Sequence, residues 1–173
     1  NNNTISNCTI SSNDRYGMTV YQSHNTVIAN STIQYNNYFG INLNASLDTT
    51  IENSNISYNA GRGIRLYAQS NNTLMKNIDV YMNDDIGIDL SGSGYNDILD
   101  SKVIGNGAVG GGVGIDFGGV TAQQQIWNTF VTDNNGTGID LMGSNYVDIV
   151  GCNISKNKGN GGIYSSSAVT HLN

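Results

Sequence analysis

The feature that most constrains this chain is an asparagine that recurs at Asn13, Asn36, Asn59, Asn83, Asn106, Asn134 and Asn157, at intervals of 23, 23, 24, 23, 28 and 23 residues. Four other columns keep step with it. Three residues before each Asn stands Ile10, Ile33, Ile56, Val80, Val103, Val131 or Ile154. An earlier column runs Ile5, Ile28, Ile51, Met75, Ile98, Ile126 and Ile149. A glycine opens the last segment at Gly17, Gly40, Gly63, Gly87, Gly114, Gly138 and Gly162, each followed by Met or Ile. Two residues further come Val20, Leu43, Leu66, Leu90, Phe117 and Leu141, with Ser165 breaking the rule. Agreement at so many columns is the mark of a repeat architecture.

Within one repeat, Thr49 to Asn71, the apolar beats are Ile51, Ile56 and the pair Ile64/Leu66. None has the spacing of an amphipathic helix. Each is a short strand bounded by Asn or Gly, residues that tolerate left-handed or tightly bent backbone. A single repeat cannot bury its own Ile side chains, so it stacks on the next at the ~4.8 Å strand spacing. The prediction is an all-β, single-stranded parallel β-helix of about seven rungs of 23–28 residues, with residues 1–173 as one domain. Stacked Asn amides each donate to one neighbour and accept from the other, which favours an internal ladder. Asn7, Asn30, Asn53, Asn77, Asp100 and Asn128 form a second such column, which lapses at Gly151. A leucine-rich repeat shares the period but needs a helical segment, and a nonapeptide calcium-binding roll has too short a repeat.

The Asn-x-Ile-x-x-Asn…Gly-Ile-x-Leu pattern, clear in Asn53–Leu66 and Asn128–Leu141, resembles the right-handed parallel β-helix repeats of the pectate-lyase-like superfamily. It is closest to the repeats of NosD-type periplasmic and archaeal surface proteins. The resemblance covers nearly the whole chain and implies the fold. It leaves function open, since that superfamily holds polysaccharide lyases, glycoside hydrolases, uronan epimerases, tailspikes, adhesins and inert surface modules. The Asn-Thr-Asp, Asp-Asp and His-Gly set of polygalacturonases and the Asp-Pro-His of the epimerases do not occur.

Charge and composition narrow the partners. The formal net charge is -6 with only seven Lys+Arg, scattered widely, so neither nucleic acid nor an anionic membrane is expected as partner. No apolar run reaches the length of a membrane span. Asn1 already belongs to a repeat and no initiator Met is present, so a removed leader or a longer parent chain is expected. Abundant Asn, Gly, Ser and Thr point to an extracellular or cell-surface home. Cys8 and Cys152 fit neither a disulfide scaffold nor a zinc site. They share a column six rungs apart, too far to bond within one chain but adjacent if copies stack head to tail.

Two departures from the repeat stand out. The turn from Gly107 to Val113 is longer by four residues and rich in glycine, which predicts a mobile insertion. The tail returns to the first-strand column at Leu172, so an eighth rung is begun. Neither end carries an amphipathic capping helix, which favours head-to-tail self-association.

Chemistry is expected on the outward column of the third strand, which reads Thr19, Asn42, Arg65, Asp89, Asp116, Asp140 and Tyr164. Carboxylates on successive rungs, ~5 Å apart, raise one another's pKa and suit an acid and nucleophile pair. They equally supply hard oxygen ligands, making Asp89, Asp116 and Asp140 a candidate calcium site and calcium the one candidate cofactor. The plain alternative is that Gly-Ile-Asp-Leu is this repeat's way of writing a solvent-facing position. Tyr21, Tyr67, Arg65 and Trp127 are the candidate glycan contacts, the rings as stacking platforms. Arg62 sits at the turn of the Arg65 rung, within swing of the carboxylates, while His24 and His171 are isolated. Eight Asn-x-Ser/Thr sequons occur, with Asn7 and Asn30 expected to be locked in a ladder. Two functions follow: a structural or binding module touching a polysaccharide, a cell-surface glycan or copies of itself, and a polysaccharide lyase or glycoside hydrolase working at the Arg65/Asp89/Asp116/Asp140 face. Short length and a single extended loop favour the first.

Overall fold

The computed structural model of the chain describes residues 1–120 and 122–166. The described residues form three parallel sheets of seven strands each and no helix. The first sheet stacks strands from Thr4–Ser6 to Val147–Val150, the second from Thr9–Ser11 to Asn153–Ser155, and the third from Met18–Tyr21 to Ile163–Tyr164. In each sheet every strand pairs with the strand one repeat away, so the chain winds as a coil of seven turns. The eighth-rung residues His171 and Leu172 lie outside the described residues.

The registers reproduce the columns of the sequence. Ile51 pairs with Ile28 and Met75, Ile56 with Ile33 and Val80, and Ile64 with Ile41 and Ile88. These side chains have no solvent exposure and form one continuous apolar core along the axis. A seam of amides lines one corner of that core. The Asn59 Nδ2 donates to Asn83 Oδ1 at 2.9 Å, and the Asn59 backbone N–H donates to the same oxygen at 3.1 Å. The same pair of bonds repeats at every step from Asn13 to Asn157. The glycine column follows from this seam. A Cβ built on Gly63 would lie 2.7 Å from the Gly87 carbonyl oxygen and 2.8 Å from Asn83 Nδ2, so the ladder itself leaves no room for a side chain.

The second asparagine column joins the anticipated ladder to a backbone demand. Asn77 Nδ2 donates to Asn53 Oδ1 at 2.7 Å and Asn128 Nδ2 to Asp100 Oδ1 at 3.3 Å, here on the solvent side of the coil. Asn7, Asn30, Asn53, Asn77, Asp100 and Asn128 also all have φ between 49° and 55°, at the bend from the first sheet into the second. Asn and Asp tolerate that left-handed backbone, and Gly151 meets it at φ 67°. The amide ladder lapses at Gly151 while the bend continues. Its side chains point to solvent, so Asn7 and Asn30 are exposed rather than locked inside.

The glycine-rich insertion is tied down. The Gly107 and Val109 N–H groups donate to the carbonyls of Asn83 and Asp84, and the Gly112 carbonyl accepts from Gly136. Gly107 also packs so closely on Gly112 that no Cβ fits between them. The loop stands as a fixed wall at the border of the third sheet.

Candidate functional site

The outer face of the third sheet carries the expected column in file. Thr19 pairs with Asn42, Asn42 with Arg65, Arg65 with Asp89, Asp89 with Asp116, Asp116 with Asp140 and Asp140 with Tyr164. Strand alternation places Tyr21, Asn44 and Tyr67 on the same face two residues on, and they too are in register. The face is polarised along the axis, aromatic and cationic over the first three strands and acidic over the next three.

At the junction the two arginines converge on Asp89, whose side chain is only 2% exposed. The Arg62 Nη1 donates to Asp89 Oδ2 at 2.6 Å, its Nε stands 3.4 Å from Asp85 Oδ2, and Arg65 Nε stands 3.7 Å from Asp89 Oδ2. The other Asp89 oxygen accepts from the Ser91 N–H and hydroxyl. A buried carboxylate held this way is a structural partner to the guanidinium groups, since removing either side would strand a charge. Asp116 Oδ1 and Asp140 Oδ1 each fold back to accept from the backbone N–H two residues on, at Gly118 and Met142. The three carboxylates therefore do not converge on one point. Among the described residues no group of three His, Cys, Asp or Glu side chains is placed to hold a metal ion.

Asp116 is the chemically distinct member. Desolvation, followed by the Gly118 hydrogen bond that opposes it and by the Asp89 and Asp140 charges, pushes its carboxyl up to about 6. A group of that pKa carries a transferable proton near neutral pH.

The cationic half is built on rings. The Arg65 guanidinium lies 4.5 Å from the centroid of Tyr67 and 5.6 Å from that of Phe39, and Arg62 lies 5.5 Å from Phe39. Phe39 stacks on Tyr38 at 4.0 Å, Tyr16 meets both, and Arg15 covers Tyr16. These rings pack against the guanidinium groups, the cation–π arrangement that planar Arg favours. Beside them Asn42 is 7% exposed and its Oδ1 has no hydrogen-bond partner, a buried acceptor at the floor of the face. Tyr21, 61% exposed, and Tyr67, 43%, present rings to solvent.

Of the anticipated residues, the structure brings together Arg65, Tyr21, Tyr67, Asp89, Asp116 and Asp140. It does not bring Trp127 to them. Trp127 lies at the end of a first-sheet strand, Gln124–Trp127, and faces outward from another side of the coil. Phe39, Tyr38 and Tyr16 escaped the reading of the sequence. The available signal was position: Tyr16, Phe39 and Arg62 each precede a glycine of the Gly column, so they stack in file.

This geometry defines a parallel β-solenoid with one ring-and-charge face. Residues 1–126 match the family described as the right handed beta helix region, and the chain belongs to that family. The coil is similar to the solved pectate lyase Pel9A, with a TM-score of 0.71, 17% identity, 95% of this chain covered and 51% of that one. It is also similar to the A-module of the Azotobacter vinelandii mannuronan C-5 epimerase AlgE4, at TM-score 0.67, 14% identity and coverage of 98% and 57%. A double mutant of the periplasmic alginate epimerase AlgG gives TM-score 0.71, 17% identity and coverage of 91% and 46%. At these identities the likeness shows the fold, and the chain spans about half the length of each of these proteins. No curated protein sequence matches the chain.

Proposed function

We propose that the chain is a polysaccharide-contacting β-helical module, extracellular or on a cell surface, whose contact face is the first three strands of the third sheet. The observation that carries this reading is the Arg65 guanidinium packed against the Tyr67 and Phe39 rings, next to the unpartnered Asn42 Oδ1. Rings stack on the apolar faces of sugars, and fixed donors and acceptors in the same plane meet their hydroxyl or carboxyl groups. The solved neighbours are named a pectate lyase, a mannuronan C-5 epimerase and an alginate epimerase, which supports a polysaccharide as the ligand class. No described helix is long and apolar enough to cross a membrane. Copies of the module stacking head to tail would extend the face along the coil axis.

Affinity electrophoresis through gels containing polygalacturonate or alginate tests the reading. The native chain is expected to be retarded by at least one of them, and Tyr67→Ala or Arg65→Ala to release it. Free migration in all the gels, or retardation untouched by both substitutions, refutes it.

A second reading rests on Asp116, whose raised pKa fits a general acid between two carboxylates. It makes the chain a polysaccharide lyase or glycoside hydrolase at the Arg65/Asp89/Asp116/Asp140 face. Release of unsaturated or reducing ends by the native chain and not by Asp116→Ala supports it, and an inactive native chain removes it.

A further inference from the structure

Two outward columns of the first sheet change chemistry at the same rung, on a side of the coil that the third-sheet face does not touch. The column one residue before the inner polar row of Thr26, Thr49, Thr73, Asn96 and Gln124 is Asn25, Asp48 and Asn72 in the early rungs, each at φ between 53° and 58°. Asx residues suit that left-handed backbone. The next rung has Tyr95 at φ 57°, and Tyr146 stands two rungs on at φ 59°, with Gln123 between them. A bulky ring is a costly choice there, and Tyr95 gains no burial from it, being 59% exposed. The neighbouring outward column turns at the same point from Val27, Thr50 and Leu74 to Asp97, Gln125 and Asp148.

Together these changes build a shallow site. Asp97 pairs in register with Gln125, and Trp127, 44% exposed, follows Gln125 on the same face of its strand. A hollow of about 200 Å³ is lined by Tyr95, Asp97, Gln123 and Gln125. Carboxylate and carboxamide groups thus form a row, with tyrosine rings along one edge and the tryptophan ring along the other. Tyr95 and Tyr146 stand two strand spacings apart, ~9.6 Å, and Gln125 to Trp127 spans ~6.7 Å. Burial raises the Asp97 carboxyl above its ordinary range, which marks the row as partly withdrawn from water.

We propose that this face of the first sheet is a second, separate saccharide-binding site that takes uncharged pyranose units. Asp accepts and Gln both donates and accepts, which suits vicinal hydroxyls, while Tyr95 and Trp127 stack on the apolar sugar faces. The charge selects the ligand class. Asp97 sits one register step from Gln125, and among the described residues the one cation of the first sheet's outward columns is Lys76, paired with Leu99 at the border. A uronate or sulfated sugar would meet like charge at Asp97.

The chain has one tryptophan, so its emission reports this face alone. Cellohexaose and mannohexaose are titrated as neutral probes and hexagalacturonate as the anionic one, with acrylamide quenching read in parallel. At least one neutral hexasaccharide should shift the Trp127 emission saturably and shield the ring from acrylamide, and hexagalacturonate should not. Gln125→Ala should weaken binding about tenfold, the effect of losing one good polar contact. Tyr95→Asn should weaken it similarly while melting no lower than the native chain, because it restores the residue type of Asn25 and Asn72. Asn37→Ala, at an exposed residue outside both faces, should bind as the native chain does. The proposal is overturned by the absence of a saturable change with either neutral probe, by tighter binding of hexagalacturonate, or by unaltered binding in both Gln125→Ala and Tyr95→Asn.

Discussion

Replacing Asn59 with Ala tests whether the amide seam holds the coil together. Asn59 is fully buried. Its Oδ1 accepts from the Asn36 backbone N–H at 3.1 Å and from Asn36 Nδ2 at 2.9 Å. Its Nδ2 donates to Asn83 Oδ1 at 2.9 Å and to the Ile33 carbonyl at 3.3 Å. Alanine removes all four bonds and leaves two donors on Asn36 facing a void. Asn83 Oδ1 keeps the Asn59 backbone N–H, so the acceptor side loses less. At ~1–3 kcal/mol for each stranded buried donor, the expected loss is about 4 kcal/mol. For a domain of this size that corresponds to a fall in melting temperature on the order of 10 °C. The comparison is Asn37→Ala, since Asn37 is exposed. Asn55, which reads as a surface residue in the sequence, is a poorer control because it bonds Tyr81 and Ser57. Calorimetry gives the melting shift, and hydrogen exchange at the Asn36 amide locates it, because that N–H loses its acceptor. If Asn59→Ala melts within ~2 °C of Asn37→Ala and the Asn36 amide keeps its protection, the seam carries no stability and the reasoning fails.

Two other outcomes follow from the structure. Asp116 has a folded pKa raised to about 6 from an ordinary 3.8, so the folded state holds the extra proton between those values and stability falls as pH rises through 6; Asp116→Asn should raise the melting temperature at pH 7.5 and leave it unchanged near pH 4 (set-points chosen about the two pKa values), as thermal scans across pH would show. Cys8 and Cys152 are free, half-buried and six rungs apart in one column, so oxidised protein should run as a monomer with two titratable thiols; covalent multimers on a non-reducing gel that vanish in Cys8→Ser would instead report head-to-tail stacking.

How far the sequence is legible depends on which link is asked for. The rungs and the registers could be read because each inner position is repeated, and a parallel coil turns repetition directly into stacking. The outward file from Thr19 to Tyr164 could be read for the same reason. What could not be read is the third dimension of long side chains. The columns put Arg62 within swing of the carboxylates but do not say which one it meets, and its pairing with Asp89 turns three equivalent-looking carboxylates into a buried ion-pair partner, a proton-holding Asp116 and a solvent-side Asp140. The bend column illustrates another limit. An Asn stack can arise from amide pairing, from left-handed φ or from both, and Asn53 and Asn77 show both at once; Gly151 marks the second demand, since glycine meets it and not the first. Trp127 is a case where column sufficed. Its place beside Ile126 makes it an outward ring of a first strand, and the structure has it there, exposed and on a different face from Tyr21 and Tyr67.

The columns also explain how one coil can carry two unlike faces. Inner positions barely vary, with Ile28, Ile51, Met75, Ile98 and Ile126 in one file, and any rung that broke the file would open a void between its neighbours. Outer positions answer to no such neighbour. They form strings along the axis that can switch from Arg65 to Asp89, or from Leu74 to Asp97, between one rung and the next. Register is what keeps those strings aligned, because a slip of one residue in any strand would send Asp89 inward and Ile88 outward. The clamp against such a slip is the glycine and asparagine pair. Gly63 admits no Cβ between the Gly87 carbonyl and Asn83 Nδ2, and Asn83 in turn is bonded to Asn59 and Asn106. Displacing the strand after Gly63 by one residue would drive the Arg62 or Ile64 side chain into that gap. The residues that look most purely structural therefore set where Arg65 meets Asp89 on one face and where Asp97 meets Gln125 on the other.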